Sequence, residues 1–362
     1  MSRKLLLTVV FGLAALPALA QDNTLHVYNW SDYIAEDTVA KFEKETGIKV
    51  TYDVYDSNEV LEAKLLAGNS GYDVVVPSSN FLQRQAAAGV YQELDKSKLP
   101  NLKNMDPDLM QDAAAYDPDN AHAVIYMWGT LGLGYNVAKI KERLGDDAPT
   151  DSWSLIFDPA NAAKLKDCGI TLLDSPSDIF QLALVYLGLD PESTNPDDLQ
   201  KAADLLTSIR PYVRYFHSSQ YITDLANGEV CLSIGFSGDV FIAASRAEDA
   251  KNGVEVAYSV PKEGTQQWFD MMAIPADAPN PEAAYKWINF IMEPQITADI
   301  TNYVWYANAN KESLPLVNEE IRTDPAIFPP KEVLDKLFPA KVYDAKTDRL
   351  VTRLWTKMQT GQ

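Results

Sequence analysis

Aromatic and acidic side chains recur where the sequence predicts strands to end or begin. Residues 30–33 (Trp-Ser-Asp-Tyr) follow one predicted strand, residues 236–239 (Phe-Ser-Gly-Asp) follow another, and residues 268–270 (Trp-Phe-Asp) open a third. Carboxylates hold an organic ammonium by charge-assisted hydrogen bonds, and ring faces add cation–π contacts of roughly 0.5 to 2 kcal/mol. Methylene groups between two ammoniums bury well against the same rings. The pattern therefore favours a site for an aliphatic diamine or polyamine.

Alternating strand and helix patterns must bring these residues together. The mature chain begins with a strand over 24–30, a helix over 36–46, a strand over 49–55, a helix within 57–68 and a strand over 72–76. Gly47 is placed to cap the first helix and Ser57 the second. This alternation predicts right-handed crossovers and a mainly parallel sheet with helices on both faces, an α/β fold. Ligands of such sheets lie outside the carboxyl ends of the strands.

Further elements are predicted along the rest of the chain. A second apolar segment with three glycines covers 123–135. Helices are predicted over 140–144, 178–189, 199–208, 238–247, 282–292 and 295–303, and strands over 170–173, 229–235, 254–260 and 268–274. Two lobes fit this number of elements, and the stretches Asp117–Asn120 and Asn195–Asp198 interrupt them as turns.

Motifs for catalysis fail on inspection. Gly235–Asp239 lacks the final Gly of a nucleophile elbow, and Gly129–Gly134 reverses the order of the dinucleotide-binding glycines. The glycines of that second segment favour close strand packing or a hinge. Asp117–Asn120 lacks the Gly and Glu of a calcium loop, and no His and Cys grouping has zinc spacing. The sequence predicts neither a metal nor a cofactor.

Composition narrows the partners further. The 362 residues carry 31 Lys and Arg against 51 Asp and Glu, a net charge of −20, with 46% hydrophobic residues. That apolar fraction is typical of a globular chain, and its length exceeds what a single core usually supports. Nucleic acid is excluded as a partner because its binding needs clustered Lys and Arg. Cations are the favoured class of ligand.

The first twenty residues have the pattern of an export signal. Arg3 and Lys4 precede an apolar run over 5–16, and Ala18–Ala20 supplies a small-x-small cleavage site, so a signal peptide over 1–20 is expected. Cys168 and Cys231 are then the only cysteines of an exported chain. A disulfide between them is favoured by the oxidising compartment, with two free buried thiols as the alternative.

Several segments together resemble one known family. They read "LHVYNWSDYI", "ETGIKVTYDVYDSNEVLEAKL", "YDVVVPSSNFL", "YFHSSQYITDLANGEVC", "YANAN" and "TRLWTKMQTG", from residue 25 to the end. The chain resembles the bacterial periplasmic polyamine-binding proteins, of the putrescine and spermidine group that serves ATP-driven importers. The resemblance implies the two-lobed type II periplasmic binding protein fold, with a mixed, mainly parallel sheet in each lobe and the ligand between the lobes. It also implies a disulfide at Cys168 and Cys231.

The same resemblance implies a set of ligand-binding residues. The rings expected to wall the ligand are Trp30, Tyr33, Phe236, Trp268 and Tyr306; the carboxylates expected to hold its ammoniums are Asp32, Asp178, Asp239 and Asp270; Ser31 and Ser78 add hydroxyl acceptors. Positions 178, 236 and 268 differ from the putrescine-type pattern of Glu, Trp and Phe. Trp268 is similar to the spermidine-preferring members, so spermidine is the expected preference, with putrescine close behind.

Each assignment has a structural alternative. Trp30 and Trp268 are equally typical of core packing, and Asp32, Asp178 and Asp239 could each serve a helix N-terminus. An exported hydrolase using Asp32 and Asp270 as paired carboxylates is the rival function. A binding protein for an amino acid or a sugar is the third, although an amino acid would require a cation for its carboxylate.

The resemblance also implies the domain arrangement and the partners. One lobe is expected to comprise 21–126 and about 250–300, and the other about 127–249 and 301–362. A periplasmic, monomeric carrier is expected, with a polyamine and a cognate ABC permease of the inner membrane as partners and no enzymatic activity.

Overall fold

The strands pair into one sheet that runs through the whole molecule. The computed structural model describes residues 23–361, so the predicted signal peptide over 1–20 lies outside the described residues. The strands are β1 (Thr24–Trp30), β2 (Lys49–Tyr55), β3 (Val74–Val75), β4 (Ala123–Asn136), β5 (Ile170–Leu172), β6 (Val213–Phe216), β7 (Leu232–Phe236), β8 (Val256–Ser259), β9 (Thr265–Ala273) and β10 (Leu337–Pro339). Their order is β2-β1-β3-β9-β4-β7-β5-β6, with β10 beside β9 and β8 beside β4.

Helices cover this sheet. They are α1 (Thr38–Thr46), α2 (Asn58–Leu66), α3 (Ser79–Ala87), α4 (Pro107–Ala113), α5 (Val137–Leu144), α6 (Ser154–Phe157), α7 (Pro159–Leu165), α8 (Pro176–Tyr186), α9 (Pro196–Ile209), α10 (Gln220–Ala226), α11 (Ser237–Ala250), α12 (Pro281–Ile291), α13 (Pro294–Val304), α14 (Glu319–Arg322), α15 (Lys331–Leu334) and α16 (Ala345–Thr360). Short 3₁₀ turns lie at Lys96–Lys98, Pro100–Asn104, Pro118–Asn120, Arg210–Tyr212 and Leu314–Leu316. Within the described residues no helix is long and apolar enough to cross a membrane.

The predicted alternation at the start of the mature chain is confirmed. Strand β1 pairs in parallel with both β2 and β3, and α1 and α2 are the crossovers between these strands. Gly47 ends α1 in the left-handed conformation, and the Ser57 hydroxyl accepts a hydrogen bond from the Val60 N–H at 3.3 Å. Both caps follow from residue type, because Gly adopts positive φ without strain and a Ser oxygen satisfies a free helix N–H.

One predicted turn begins a helix instead. Asn195 caps α9 by accepting a hydrogen bond from the Asp197 N–H, and Pro196 occupies the first helical position. Proline suits that position because its missing N–H would have no helical partner.

Strand β4 links the two halves of the sheet. Its first part, as far as Thr130, pairs with β9, whereas Leu131–Asn136 pairs with β7 and β8. The strand is buried along nearly all of its 14 residues, in agreement with the apolar segment seen in the sequence. Strand β9 pairs with β4 and, at Val75, with β3. These two central strands therefore connect the β1–β3 half to the β5–β7 half.

The cysteine pair lies in the β5–β7 half. Cys168 and Cys231 form a disulfide with a Cα–Cα distance of 5.5 Å, which confirms that expectation. The bond joins the turn that follows α7 to the residue before β7. It therefore fixes the start of the strand that delivers Phe236 to the site described next.

Candidate functional site

A narrow cavity of about 70 Å³ lies where the two halves of the sheet meet. All of the expected site residues except Asp32 line it. The remaining lining residues are Tyr55, Asp56, Ser57, Asn58, Glu59, Asn80, Phe81, Ser175, Ser177, Ser218, Ser219, Ile222, Gln266 and Ala340. Strand ends and helix N-termini from both halves contribute to this set. The cavity therefore lies at the edge that α/β sheets generally use for ligands.

Strand β9 supplies one wall and one carboxylate. Trp268 and Asp270 are two residues apart, so their side chains leave the same face of the strand. Asp270 is only 5% exposed and accepts a hydrogen bond from the Ser78 hydroxyl at 2.6 Å. Burial raises the pKa of Asp270 to about 7, against the opposing effect of that hydrogen bond. A positive charge beside this carboxyl would favour its ionised form at neutral pH.

The first turn of α11 carries the second carboxylate. Asp239 accepts hydrogen bonds from the Tyr221 hydroxyl at 2.6 Å and the Tyr306 hydroxyl at 2.7 Å. Burial raises its pKa to about 6, and the two hydrogen bonds oppose this effect. An ionised carboxylate has about four acceptor sites. Two tyrosines leave Asp239 with free acceptor capacity.

A third carboxylate begins α8. Asp178 accepts a hydrogen bond from Gln266 Nε2 at 3.0 Å, and burial raises its pKa. Glu59, in the first turn of α2, lines the same cavity. Desolvation of its carboxyl raises its pKa to about 7, with Asp178 adding to the increase, although the residue as a whole is exposed. Placement in a first helical turn favours the ionised form of both side chains. Asp178 and Asp239 therefore each combine a place in the first turn of a helix with a place in the cavity lining.

Aromatic rings form the walls between these carboxylates. Trp268 meets Phe236 edge to face at 5.8 Å between ring centroids and Tyr306 at 5.3 Å. Tyr33 meets Tyr306 at 5.1 Å. Trp30, at the end of β1, donates its indole N–H to the Val76 carbonyl at 2.8 Å. Each ring is held by its neighbours, so its face is presented in a fixed orientation.

Asp32 is the expected site residue that the structure does not bring to the cavity. Its backbone is in the left-handed region, with φ of 54°, and its carboxylate accepts a hydrogen bond from the Arg246 guanidinium at 2.5 Å. Asp adopts this conformation more readily than most residues. Asp32 follows β1 and Arg246 lies on α11, so the ion pair joins the two halves beside the cavity.

Sequence patterns did not single out part of the lining. Glu59, Asn80 and Gln266 lie within an ordinary helix or strand, and no local motif distinguishes them. Asn80 is 5% exposed, and its buried side-chain oxygen has no hydrogen-bond partner in the described residues. The available signal for Glu59 and Asn80 was their position just after a strand end.

The charged side chains that line the cavity within the described residues are all acidic. Among the lining residues that the structure describes, none is Lys or Arg, whereas Asp178, Asp239 and Asp270 lie in or beside it. No cluster of three His, Cys, Asp or Glu suitable for a metal ion occurs within residues 23–361. Aromatic faces and acceptor oxygens without a built-in cation suit an organic ammonium ligand.

Comparison with known proteins agrees with this geometry. Residues 37–329 match the family model described as bacterial extracellular solute-binding protein. The chain belongs to this family. The solute-binding protein is 58% identical over 358 residues to the putrescine-binding periplasmic protein SpuD of Pseudomonas aeruginosa (strain UCBPP-PA14), which covers 99% of this chain and 98% of SpuD.

Two further relatives extend the comparison. The putrescine-binding periplasmic protein PotF of Escherichia coli (strain K12) is 58% identical over 344 residues, 95% of this chain and 93% of PotF. A solved structure of the spermidine/putrescine ABC transporter substrate-binding protein PotD from Streptococcus pneumoniae has a TM-score of 0.75 at 29% identity, over 93% of this chain and 98% of that chain.

These relationships settle the class of protein. The two-lobed type II periplasmic binding protein fold expected from the sequence is confirmed, and the protein is a periplasmic solute-binding protein rather than an enzyme. The hydrolase alternative is therefore wrong. Its two carboxylates also differ in environment, because Asp270 lines the cavity whereas Asp32 is paired with Arg246.

Proposed function

We propose that this solute-binding protein captures a polyamine in the cavity and delivers it to an ABC permease. The observation that carries the proposal is a set of carboxylates, the half-buried Asp178 and Asp239 and the buried Asp270, which share an aromatic cavity with no cation among its described lining residues. Protonated amines supply the missing positive charge, and the rings cover the methylene groups between them. The relatives named above carry putrescine or spermidine/putrescine in their names.

Putrescine is the ligand we propose as preferred. The two relatives at 58% identity are named for putrescine. Spermidine, the preference expected from the sequence, stays a prediction based on Trp268. A larger ring offers more apolar surface to a longer chain of methylene groups. Direct titration with each ligand distinguishes a preference for putrescine from a preference for spermidine.

In this proposal the expected site residues contact different parts of the ligand. The charge of Asp239 contributes to raising the pKa of Asp270, so an ammonium bound beside these two carboxylates relieves their repulsion. Asp178 holds the other end, and Trp30, Tyr33, Phe236, Trp268 and Tyr306 wall the chain. Ser31 lines the cavity beside them, and Ser78 keeps Asp270 oriented.

Closure of the two lobes follows from the same electrostatics. We assign one lobe to 21–126 and about 250–300 and the other to about 127–249 and 301–362, with β4 and β9 as connecting strands. An empty closed cavity brings unpaired carboxylates together at a cost, and an ammonium removes that cost. We reassign Asp32 from ammonium binding to the ion pair with Arg246, which forms between the lobes. The carrier works as a monomer.

Calorimetric titration tests the proposal. The mature protein, refolded to remove bound ligand, is titrated with putrescine, cadaverine, spermidine and spermine. One-to-one binding of at least one polyamine is expected, and Asp239→Asn should weaken it strongly. Asp197→Asn is the matched control, because Asp197 is also a first-turn acid, on α9, but is exposed and outside the cavity. Absence of heat with all four ligands would reject the proposal.

A further inference from the structure

Trp268 has a glycine as its direct neighbour across the sheet. Gly129 of β4 and Trp268 of β9 are Cα partners in the antiparallel pairing, so their side-chain positions point to the same face. Gly129 belongs to the glycine-containing segment that the sequence associated with close strand packing or a hinge. Its backbone φ is not in the left-handed region. Backbone conformation therefore does not require glycine at this position.

The absence of a side chain at Gly129 makes room for the indole. A Cβ at this position would lie 2.7 Å from Trp268 Cζ2 and 3.2 Å from Trp268 Cη2, and 2.8 Å from the Ser237 hydroxyl oxygen. Ordinary contacts of a Cβ begin near 3.4 Å, so the ring would have to move by about 0.7 Å or more. The outer atoms of the six-membered ring occupy the space that any other residue would fill.

The surroundings of the indole determine where it would move. Phe236 and Tyr306 pack against Trp268 on its other sides, and the cavity is the empty space that borders the ring. Interiors are close-packed, so a displaced ring moves toward unfilled volume. In a cavity of about 70 Å³ such a shift removes room for the ligand.

We propose that Gly129 is a positioning residue of the binding site: without a Cβ, it lets the Trp268 indole lie back against β4 and so keeps the cavity wide enough for a polyamine. The inference rests on the proposed function. The same arrangement recurs at Gly238, where a Cβ would lie 2.4 Å from the ring of Tyr306. Two wall rings therefore pack directly on glycine backbone.

A double-mutant comparison tests this assignment by calorimetry with putrescine and spermidine. Gly129→Ala should weaken binding of both by about tenfold or more, which corresponds to about 1.4 kcal/mol. Trp268→Phe replaces the indole by a smaller ring and removes Cζ2 and Cη2, the two atoms that a Cβ at position 129 would meet. In the Trp268→Phe background the Gly129→Ala change should alter affinity by less than about twofold. This rescue distinguishes a steric effect on the ring from a general loss of stability.

Gly132→Ala is the matched control. Gly132 lies on the same strand, and its Cβ would clash equally, at 2.5 Å from the Ser259 carbonyl oxygen and from Tyr258, neither of which lines the cavity. This variant should lose thermal stability yet keep its affinity. Equal losses of affinity from Gly129→Ala with Trp and with Phe at 268, or a similar loss in Gly132→Ala, would overturn the inference.

The inference can still be tested if Gly129→Ala does not fold. The comparison of Trp268→Phe with Gly129→Ala/Trp268→Phe then stands alone, since unchanged affinity supports the assignment and a tenfold loss overturns it. Failure of the wild-type protein to bind any polyamine is a separate result, because it rejects the proposed function itself.

Discussion

Ligand binding should expel protons from the cavity, and the effect should be large below neutral pH. Burial raises the pKa of Asp239 to about 6 and that of Asp270 to about 7 in the empty protein. An ammonium beside them favours the ionised form, so both carboxyls release their protons when the ligand binds. Aliphatic amines stay protonated throughout this range, as the lysine pKa near 10.4 indicates.

These two pKa values determine how strongly the affinity depends on pH. At pH 6 the empty cavity holds about 1.4 protons on the two carboxyls, and at pH 8 about 0.1. Because the bound form is ionised, these two carboxyls should together lower the affinity about 20-fold between pH 8 and pH 6, or about 1.8 kcal/mol. The direction is fixed by linkage, since acid stabilises the proton-bearing empty state and therefore competes with the ligand.

The same shifts predict how the empty protein responds to pH. Both folded-state pKa values lie above the unfolded value near 3.9, so the stability linked to these carboxyls is fully present below about pH 4. It decreases as pH rises through about 6 to 7. Saturating ligand should reverse this trend, which thermal unfolding with and without polyamine measures.

Calorimetry in paired buffers of different ionisation enthalpy measures the protons directly. At pH 6, Asp270→Asn should remove about 0.9 of the released protons and Asp239→Asn about 0.5, because each variant removes one titrating group. These variants also separate the two carboxyls from Glu59, which lines the same cavity and has a pKa raised to about 7. An affinity that is equal at pH 6 and pH 8, with no dependence on the buffer, would refute the reasoning.

Three other predictions follow from contacts in the structure. Asp32→Asn should speed polyamine release in stopped-flow experiments, because it weakens the ion pair with Arg246 without removing a lining residue; unchanged release would show that the pair does not hold the lobes together. Trp268→Phe should lower spermidine affinity severalfold more than putrescine affinity, by loss of apolar contact with the longer chain, and equal losses in titration would contradict this. Replacing Cys168 and Cys231 together by Ser should lower the free energy of unfolding by about 4 kcal/mol, as estimated from the chain entropy of the loop between them. Chemical denaturation measures this loss, and wild type reduced with dithiothreitol should show the same stability as the double variant.

Local sequence signals were sufficient for elements that depend on neighbouring residues. Strands β1 and β2 begin and end where the apolar pattern predicts, and Gly47 and Ser57 cap their helices. The signal for each lies within a few residues, because caps and strand periodicity are short-range properties. Local signals are ambiguous at Asn195, because the turn-forming residues there cap and begin helix α9 instead of forming a turn.

The class of ligand was also within reach of the sequence. An acidic chain with rings and carboxylates after several strands predicts a cation site at one sheet edge, whatever the details of packing. Residue type and approximate position suffice for that inference. The family resemblance added the individual residues, and nearly all of them line the cavity.

Tertiary structure alone decided which carboxylates are free to bind. Asp32 lies between two cavity residues in sequence, yet a left-handed backbone turns it toward Arg246, 214 positions away. Glu59 and Asn80 line the cavity without any motif, and Gly129 matters because β4 pairs with β9 in one register. Such relations depend on contacts between distant segments, which no local pattern encodes. The sequence by itself determined many of the local elements and the chemical class of the site, because both depend on residue type and short-range spacing. Elements such as β6, β10 and α16 had no prediction from the sequence, and packing between the two halves decided which residues line the cavity.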